Sequence, residues 1–314
     1  MPIAPVALAL LALALAWPIP LWLSAARWPA RAPALALLLW QSIALAGGLS
    51  MIGALLTYGL LPFGTDLVHG LLEFAGAVQD GTAAQRGGLL HLAALVGAAL
   101  LGAHLVLNLA LTIGRTVRDR RRHRRLLELL GTPDPELPAT RILDSPLPVA
   151  YCLPGGSGSV TVFSAGLVAL LSRDELLAVT EHERAHLTQR HDLVLVAFRA
   201  WHASLPWFPV AYRAQSEVEL LIEMLADDRA RAHVEDTSLA RAIALVGDAG
   251  GQGPLAAADD PERLRPTSVA RITRLAAVGP LPATLRALVV ATAVALLVVP
   301  TALLLLPAAV SLVA

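Results

Sequence analysis

Four long apolar stretches dominate the pattern of hydrophobic and polar positions along the 314-residue chain. They cover residues 3–23, 33–56, 89–113 and 287–313. Each reaches the roughly 20 residues that a helix needs to cross the hydrocarbon core of a bilayer. The pattern therefore predicts an N-terminal membrane region with three spans (residues 1–113), a polar domain (residues 114–280) and a C-terminal transmembrane helix (residues 281–314).

The first apolar stretch has an alternative interpretation as a signal peptide, which the mature protein would lose. Its leading residues, MPIAP, carry no positive side chain, and the apolar run is longer than the core of a usual signal peptide. We therefore expect a true span.

The arginines predict the orientation of the spans, because loops rich in basic residues stay on the cytoplasmic side. Arg27 and Arg31 separate the first two stretches, and the run RTVRDRRRHRR, residues 115–125, follows the third. The loop between the second and third stretches holds only Arg86. We expect a multi-pass protein of the cell membrane with its N-terminus outside, residues 115–280 in the cytoplasm and its C-terminus outside.

The amino-acid composition excludes several catalytic mechanisms and limits the kinds of partner that the protein can bind. The chain is 56% hydrophobic with no formal net charge, and all 24 basic residues are arginine. Without lysine there is no Walker-type phosphate loop, no Schiff-base lysine and no Ser-Lys dyad, so we expect no phosphate nucleotide. The arginine run could form a nucleic-acid patch, but beside a span it is typical of an anchor on anionic lipid. We therefore expect the lipid bilayer, and no direct nucleic acid, as a partner.

Residues 114–280 are enough for one domain with its own core. The pattern predicts a helix that ends at Gly131, two short strands over 149–153 and 160–163, and a glycine-rich turn over 155–159. Two helices follow, one from Asp174, preceded by a Ser172–Glu175 capping box, and one over 216–234. The segment between them, WHASLPWFPVAYRAQ, is expected to be mostly loop.

The stretch EHERAHLTQRHD, residues 181–192, holds eight ionisable side chains in twelve residues. His182 and His186 are four positions apart, so on a helix their imidazoles share a face and suit one Zn²⁺. Glu183 lies on the next step round the helix, where it can hold and deprotonate a water molecule. The same motif can also arise by chance on an amphipathic surface helix. A third ligand is therefore needed.

Asp192 would be the third ligand if the helix broke after His186. We expect that turn to need a glycine at position 189, where the chain has Gln189, so Asp192 is disfavoured. His191 would point away from His186 if the helix continued.

Glu223, on the later helix, is the favoured third ligand and would complete a His-His-Glu site with a fourth position for water. Asp227 shares its face and can accept the other ring N–H of a ligand histidine. By spacing alone, Glu217, Glu219 and Glu223 would form a solvated acidic face. The preceding HExxH motif reverses that preference.

Glu223-x-x-Ala226-Asp227 after His182-Glu183-x-x-His186 resembles the gluzincin pattern of membrane metallopeptidases of the HtpX and CAAX-prenyl-protease type. The flanking AYCLPGG…VTVFSAGLVALLSRDELLAV, with three spans before the domain and one after, resembles the BlaR/MecR-type antirepressor metallopeptidases. This resemblance implies a mainly α polytopic membrane protein whose cytoplasmic domain is an α+β, gluzincin-like zinc protease with a small sheet. It also implies one zinc ion per chain and a winged-helix repressor as protein substrate.

The segment SVARITRL, residues 268–275, resembles the arginine-containing segment that follows the zinc site in these families. Arg271 is therefore a candidate contact for the transition state or substrate, as is His233. His202 and Tyr212 are further candidates for stabilising an oxyanion. The β-lactam sensors of this group carry a penicillin-binding domain after the last span. Because this sequence ends with its fourth apolar stretch, we expect no such sensor and do not carry over its stimulus.

The sequence thus predicts a membrane-bound zinc endopeptidase that cleaves a cytoplasmic protein, with strand 160–163 offering an edge to an extended substrate. One alternative is an HtpX-like quality-control protease that acts on membrane proteins. A second is a non-catalytic, zinc-stabilised membrane signalling protein, which would have no use for Glu183. Proteolysis within the bilayer is disfavoured because residues 181–192 are too polar for lipid.

Overall fold

The computed structural model describes residues 3–133, 140–153, 160–206, 209–248, 261–277 and 279–313. These residues are mainly helical. The N-terminal elements are α1 (Ile3–Ala16), α2 (Pro18–Ala25), a 3-10 turn (Pro29–Arg31), α3 (Pro33–Leu60), α4 (Leu67–Gln79) and α5 (Ala83–Leu130). The strands are β1 (Thr132–Pro133), β2 (Thr140–Leu143), β3 (Ala150–Leu153) and β4 (Val160–Ser164). The later helices are α6 (Ala165–Leu170), α7 (Arg173–Thr188), α8 (His191–Ser204), α9 (Pro209–Ala230), α10 (Asp236–Asp248), α11 (Pro261–Ala277) and α12 (Ala283–Val313).

Four helical segments of the described chain are long and apolar enough to cross a membrane: Ile3–Ala25, Pro33–Leu60, Ala83–Leu127 and Ala283–Pro307. They coincide with the four predicted stretches, so the prediction of four candidate transmembrane helices is confirmed. The orientation of these helices and the division into three domains stay predictions.

The third candidate span continues without interruption into the polar domain. Helix α5 has 48 residues, contains a kink at Gly88 (φ 68°), and ends at Leu130 with Gly131 as its C-cap, where the sequence predicted a helix end. Its arginine-rich half reaches the domain directly, since Arg120 Nη1 donates to Asp192 Oδ2 at 2.9 Å. The same half contacts the sheet, because His123 Nε2 and Tyr151 Oη are hydrogen-bonded at 2.7 Å.

The small sheet has the strand order β1-β2-β4-β3. The two predicted strands, β3 and β4, pair antiparallel with Leu153 opposite Val160, while their predicted turn at 155–159 lies outside the described residues. On its other side β4 pairs in parallel with β2. The expectation that strand 160–163 offers an edge to a substrate is therefore wrong, because both of its edges are already paired. The edge strand on this side of the sheet is β3.

Helices α7, α8 and α9 form the frame of the candidate site. Helix α7 begins with the predicted capping box, in which Ser172 Oγ accepts from the Glu175 N–H and Glu175 Oε2 accepts from the Ser172 N–H. The predicted loop over residues 201–215 is wrong, because α8 continues to Ser204 and α9 begins at Pro209. Packing of its apolar side chains against other helices overrides the local preference of this segment for a loop.

That packing joins the hairpin of α8 and α9 to the candidate spans. Phe198 of α8 and Val218 and Ile222 of α9 share one buried cluster with Trp40 and Ile43 of α3. The C-terminal end of α9 belongs to a second cluster, in which Ala230 packs with residues of α7, α10 and α11. Helix α9 therefore bridges the candidate spans and the polar domain, and its acidic residues lie between the two clusters.

The beginning of α6, directly after β4, has no room for a side chain at Gly166. A Cβ atom there would meet the backbone carbonyl of Pro146. We predict that Gly166→Ala lowers the free energy of unfolding by about 1–3 kcal/mol, because the backbone must move to relieve the overlap. Thermal melting of the full-length protein in detergent measures this. Gly114→Ala, where a Cβ meets nothing within 4 Å, is the matched control and should not lower the melting temperature.

Candidate metal centre

Three side chains from α7 and α9 bring their donor atoms together. On α7 the Nε2 atoms of His182 and His186 approach each other to 3.1 Å. From α9, Glu223 Oε2 lies 3.3 Å from His182 Nε2, and Glu223 Oε1 lies 3.5 Å from His186 Nε2. One ligand atom from each residue lies within 4.8 Å of the others. The structure thus brings the three predicted zinc ligands to one point.

The spacing of these atoms fits a zinc ion. Zinc binds histidine nitrogen and carboxylate oxygen at about 2.0–2.1 Å in tetrahedral geometry, which puts neighbouring ligand atoms about 3.3 Å apart. The two histidine nitrogens are 3.1 Å apart, and each has a different oxygen of Glu223 at 3.3 or 3.5 Å, so the separations lie near this value. Three protein ligands leave one position for water or substrate, which is the pattern of catalytic zinc sites.

Asp227, one turn along α9 from Glu223, holds the far side of His182. The His182 Nδ1–H donates to Asp227 Oδ1 at 2.9 Å, and the Asp227 side chain is only 1% exposed. This bond places the proton on Nδ1 and leaves the lone pair of Nε2 facing the other donor atoms. The geometry is the one predicted for Asp227, and its role as a support of the metal site stays a prediction.

Arg271, from α11, contacts two acids of α9, Glu223 and Asp227. Its Nε and Nη2 donate to the two carboxylate oxygens of Asp227 at 2.8 and 2.6 Å, and its Nη1 lies 3.0 Å from Glu223 Oε2. The bidentate pairing fixes the plane of the Asp227 carboxylate. The resemblance of segment 268–275 thus pointed to a residue that the structure places in the site.

Glu183 occupies the space between the ligands and the edge strand β3. It accepts a backbone hydrogen bond from Cys152. Burial, together with the negative charge of Glu223, raises the pKa of Glu183 to about 7, although His182 and Arg271 oppose this shift. A carboxylate with a near-neutral pKa can both accept and return a proton at physiological pH.

Arg271 keeps two of the three acids at the site ionised. Glu183, Glu223 and Asp227 are three acids, and Arg271 is the guanidinium that contacts two of them. Burial raises the pKa of Asp227, but the Arg271 charge and its hydrogen bonds outweigh burial and lower that pKa to about 2. The same competition leaves the pKa of Glu223 well below its usual value.

The two histidines differ in their affinity for protons. Burial and the Arg271 charge lower the pKa of His182, but hydrogen bonds to Asp227 and Glu223 outweigh them and raise it to about 9. Burial lowers the pKa of His186 to about 4. Because zinc binds the neutral imidazole, metal binding would release the proton from His182.

The chain after the motif does not continue as one helix, and our expectation for His191 is wrong. Helix α7 ends at Thr188, and Arg190 adopts the left-handed conformation with φ 50° and ψ 42°. His191 begins α8 and places its Nδ1 3.0 Å from His186 Nδ1. A non-glycine residue can hold this conformation where the surrounding packing fixes it.

Asp192 is placed away from the ligands, as expected, but for another reason. The turn that we tied to a glycine at 189 forms at Arg190 instead, so a break after His186 is possible without glycine. Asp192 then pairs with Arg120 of α5 at 2.9 Å, with both side chains about a quarter exposed. Its carboxylate forms an ion pair that joins α5 to α8.

The other sequence candidates lie apart from the three donor atoms. His233 is half-exposed; its Nδ1 is 3.2 Å from the Arg229 carbonyl oxygen and 3.7 Å from Glu181 Oε2. His202 is hydrogen-bonded to Gln215 Oε1 at 3.1 Å, and its ring packs edge-on against Tyr212. His233 thus lies beside Glu181 of α7, and His202 lies between α8 and α9.

Comparison with known families gives the class of protein. Residues 116–226 match the family model described as Peptidase family M48, and this range includes His182, Glu183, His186 and Glu223. Peptidase family M48 is a zinc metalloprotease family, so the chain carries a metallopeptidase, a hydrolase of peptide bonds. Neither the curated proteins nor the solved structures gave a match.

If the three donors form the metal site, Glu223→Gln should abolish tight zinc binding, because an amide replaces the anionic ligand. We predict one zinc ion per chain for the wild type and less than a tenth of that for the variant, measured by elemental analysis after dialysis. Glu217→Gln, on the same helix and outside the donor set, is the matched control and should keep its zinc. Equal zinc contents in all three proteins would exclude Glu223 as a ligand.

Proposed function

We propose that the protein is a membrane-bound zinc endopeptidase that cleaves a cytoplasmic protein. In this proposal His182, His186 and Glu223 bind the zinc ion and Glu183 is the catalytic residue. The observation that supports it most is the convergence of His182, His186 and Glu223, whose ligand atoms lie within 4.8 Å of one another, with Glu183 beside them. A purely structural zinc site would not need the partly buried Glu183.

When bound, zinc supplies Lewis acidity to a water molecule and to the oxygen of the peptide carbonyl. Glu183 then accepts a proton from the attacking water and delivers it to the leaving amine. Its raised pKa, about 7, suits both steps. The Cys152 N–H holds the carboxylate in place between the strand and the ligands.

Asp227 and Arg271 support the ligands in this mechanism. Asp227 fixes the tautomer of His182, and Arg271 holds the carboxylates of Asp227 and Glu223. A direct contact of Arg271 with the transition state remains part of our proposal, since its Nη1 lies next to the ligand Glu223. His233 remains a candidate substrate contact because it is half-exposed near the N-terminal side of the motif.

The edge of β3 is the proposed binding strand for the substrate. The Ser164 N–H donates to the Val149 carbonyl oxygen at 2.9 Å, so the peptide groups of Val149 face β4. Because directions alternate along a strand, those of Ala150 and Cys152 face the opposite edge. The Cys152 N–H reaches Glu183 from that edge. An extended peptide pairing there would therefore lie next to Glu183 and be bound through its backbone.

The proposed substrate is a cytoplasmic transcriptional repressor of the winged-helix type. This choice rests on the resemblance of the flanking segments to BlaR/MecR-type metallopeptidases and on the predicted cytoplasmic position of residues 114–280. The continuous helix α5 supports a signalling role, because it joins the predicted outer side to Asp192 and Tyr151 in the polar domain.

Glu183→Gln tests the proposed activity, since it removes the base and leaves the ligands in place. We predict that proteolysis falls at least a hundredfold, in line with the contribution of a general base, while the zinc content stays at one per chain. The measurement compares new protein N-termini in cells that express the wild type or the variant.

Each result of this comparison has a distinct meaning. A wild-type-specific cleavage in a DNA-binding repressor supports the proposal in full. Cleavage of many membrane proteins would replace the repressor with a quality-control role. Identical N-termini in both strains, including under envelope stress, would contradict the proposed protease.

A further inference from the structure

Helix α8 runs back along the third candidate span. At its start, Asp192 pairs with Arg120 of α5, and at its end the Ser204 carbonyl oxygen lies 3.1 Å from His104 Nε2 of α5. Since Arg120 follows His104 in α5 while Asp192 precedes Ser204 in α8, the two helices are antiparallel. The end of α8 therefore lies beside the apolar part of the span.

The contact with His104 gives the depth of the hairpin. His104 precedes Ile113, the last residue of the predicted apolar stretch, by nine positions. Nine helical residues span about 13 Å, and half the hydrocarbon core of a bilayer is about 15 Å. Ser204 therefore lies near the middle of the bilayer if α5 crosses it.

Helix α9, the other arm of the hairpin, also packs against the candidate spans. Its residues Val218 and Ile222 pack in one buried cluster with Trp40 and Ile43, which lie well inside the second span, and with Val289 of the fourth. The hairpin thus lies among the candidate spans rather than below them.

The tip of the hairpin has the composition and hydrogen bonding that lipid requires. The described residues at the end of α8 and directly after it, Ala203 to Pro206, form this tip and carry no charge. The Ser204 carbonyl is matched by His104, and the Leu205 N–H donates to the Trp201 carbonyl oxygen at 3.2 Å. Arg199 and Arg213 flank the tip on the two helices, and their long side chains can extend toward the interface.

We propose that α8 and α9 form a re-entrant hairpin whose tip contacts lipid acyl chains in the cytoplasmic half of the bilayer. The zinc donors, at the base of the hairpin, then lie close to the membrane surface. The hairpin also explains the polar His104 within the span. A polar side chain there is costly unless it is hydrogen-bonded, and His104 is hydrogen-bonded to the Ser204 carbonyl oxygen.

Spin labels measure the depth of the tip in the full-length protein in lipid vesicles. In a Cys152→Ser background, single cysteines are introduced by Pro206→Cys and, as a second position, by Ala203→Cys. Leu100→Cys on α5 is the reference within a span, and Thr237→Cys on α10 is the reference in the polar domain. The accessibility of each label to oxygen and to a water-soluble nickel chelate reports its surroundings.

The proposal predicts that both hairpin labels resemble the Leu100 label, with high access to oxygen and low access to nickel. Labels that resemble the Thr237 label would overturn it. Labels shielded from both reagents would also overturn it, because protein and not lipid would then cover the tip. Zinc content of each variant confirms that it has folded.

A second inference concerns His191 and Gln189 and rests on the proposed zinc site. His191 is 3% exposed, and its Nε2 lies 2.7 Å from Gln189 Oε1. An amide oxygen only accepts hydrogen bonds, so the proton of a neutral His191 is on Nε2 and its Nδ1 is an acceptor. That Nδ1 lies 3.0 Å from Nδ1 of His186. His186 therefore donates from Nδ1 and keeps the lone pair of Nε2 for the metal.

We infer that His191, held by Gln189, is a positioning residue that sets the tautomer of His186. His191 would accept the Nδ1–H of His186, as Asp227 accepts the Nδ1–H of His182. The acceptor is a neutral imidazole in the first case and a carboxylate in the second. The left-handed turn at Arg190 brings His191 back to His186, which explains why the chain holds this conformation without a glycine.

The zinc dissociation constants of two His191 variants test this inference by competition with a chromophoric chelator. His191→Phe keeps a ring but loses the acceptor, and it should weaken zinc binding about 10–100-fold, as removal of such supports does elsewhere. His191→Asn can place an acceptor oxygen near the former Nδ1 and should restore most of the affinity. His202→Ala, on the same helix, is the matched control and should bind zinc normally.

The outcomes separate this inference from the proposed site. Wild-type affinity in His191→Phe, with zinc still lost in Glu223→Gln, would overturn the role of His191 alone. Equal losses in the Phe and Asn variants would also overturn it, because the acceptor would then be irrelevant. No zinc binding by the wild type would overturn both. Melting temperatures of the zinc-free variants identify any loss of folding.

Discussion

The buried carboxylate of Asp227 is the interaction on which the candidate site depends. It belongs to α9, accepts a hydrogen bond from His182 of α7 and is clamped by Arg271 of α11. One side chain thus fixes three helices relative to one another. Because Asp227 and Glu223 are one turn apart, the same contact brings Glu223 to the two histidines. The burial of Asp227 would be costly without these partners, so the helices and the site stabilise each other.

The position of α9 links this site to the membrane. Its first half packs with the candidate spans, and its second half packs with α7, α10 and α11. The HExxH helix in turn contacts β3, whose Cys152 reaches Glu183 and whose Tyr151 contacts His123 of α5. The proposed catalytic base, the proposed substrate edge and the third candidate span are therefore joined by two short contacts. A movement of α5 would reach both the edge strand and, through Arg120, the beginning of α8.

Local patterns in the sequence predicted the parts of the structure that local physics decides. Apolar length gave the four candidate spans, the Ser172–Glu175 capping box marked the start of α7, and helical spacing brought His182 and His186 together. The pairing of Glu223 with that motif followed from chemistry rather than proximity, since no sequence pattern gives the distance between α7 and α9. The resemblance supplied Arg271, which spacing alone would not have found.

The errors arose where distant contacts decide the conformation. The loop expected before α9 is helical because Phe198 and its neighbours are buried against the spans. Strand β4 is internal because β2, which we did not predict, pairs with its other edge. The helix break at Arg190 carries no glycine, so the sequence does not mark it. Only the tertiary contacts of the next two residues, His191 and Asp192, reveal it. The Cys152 contact with Glu183 is a backbone bond and leaves no signal in side-chain patterns.

X-ray absorption of the zinc-loaded full-length protein tests the central claim most directly, because it identifies the ligands around the metal. The account predicts nitrogen and oxygen ligands at about 2.0–2.1 Å, with the scattering of two imidazoles and no sulfur. A shell with three imidazoles would contradict it and would make His191 a ligand in place of Glu223. A sulfur shell at about 2.3 Å would place Cys152 on the metal and would contradict it as well.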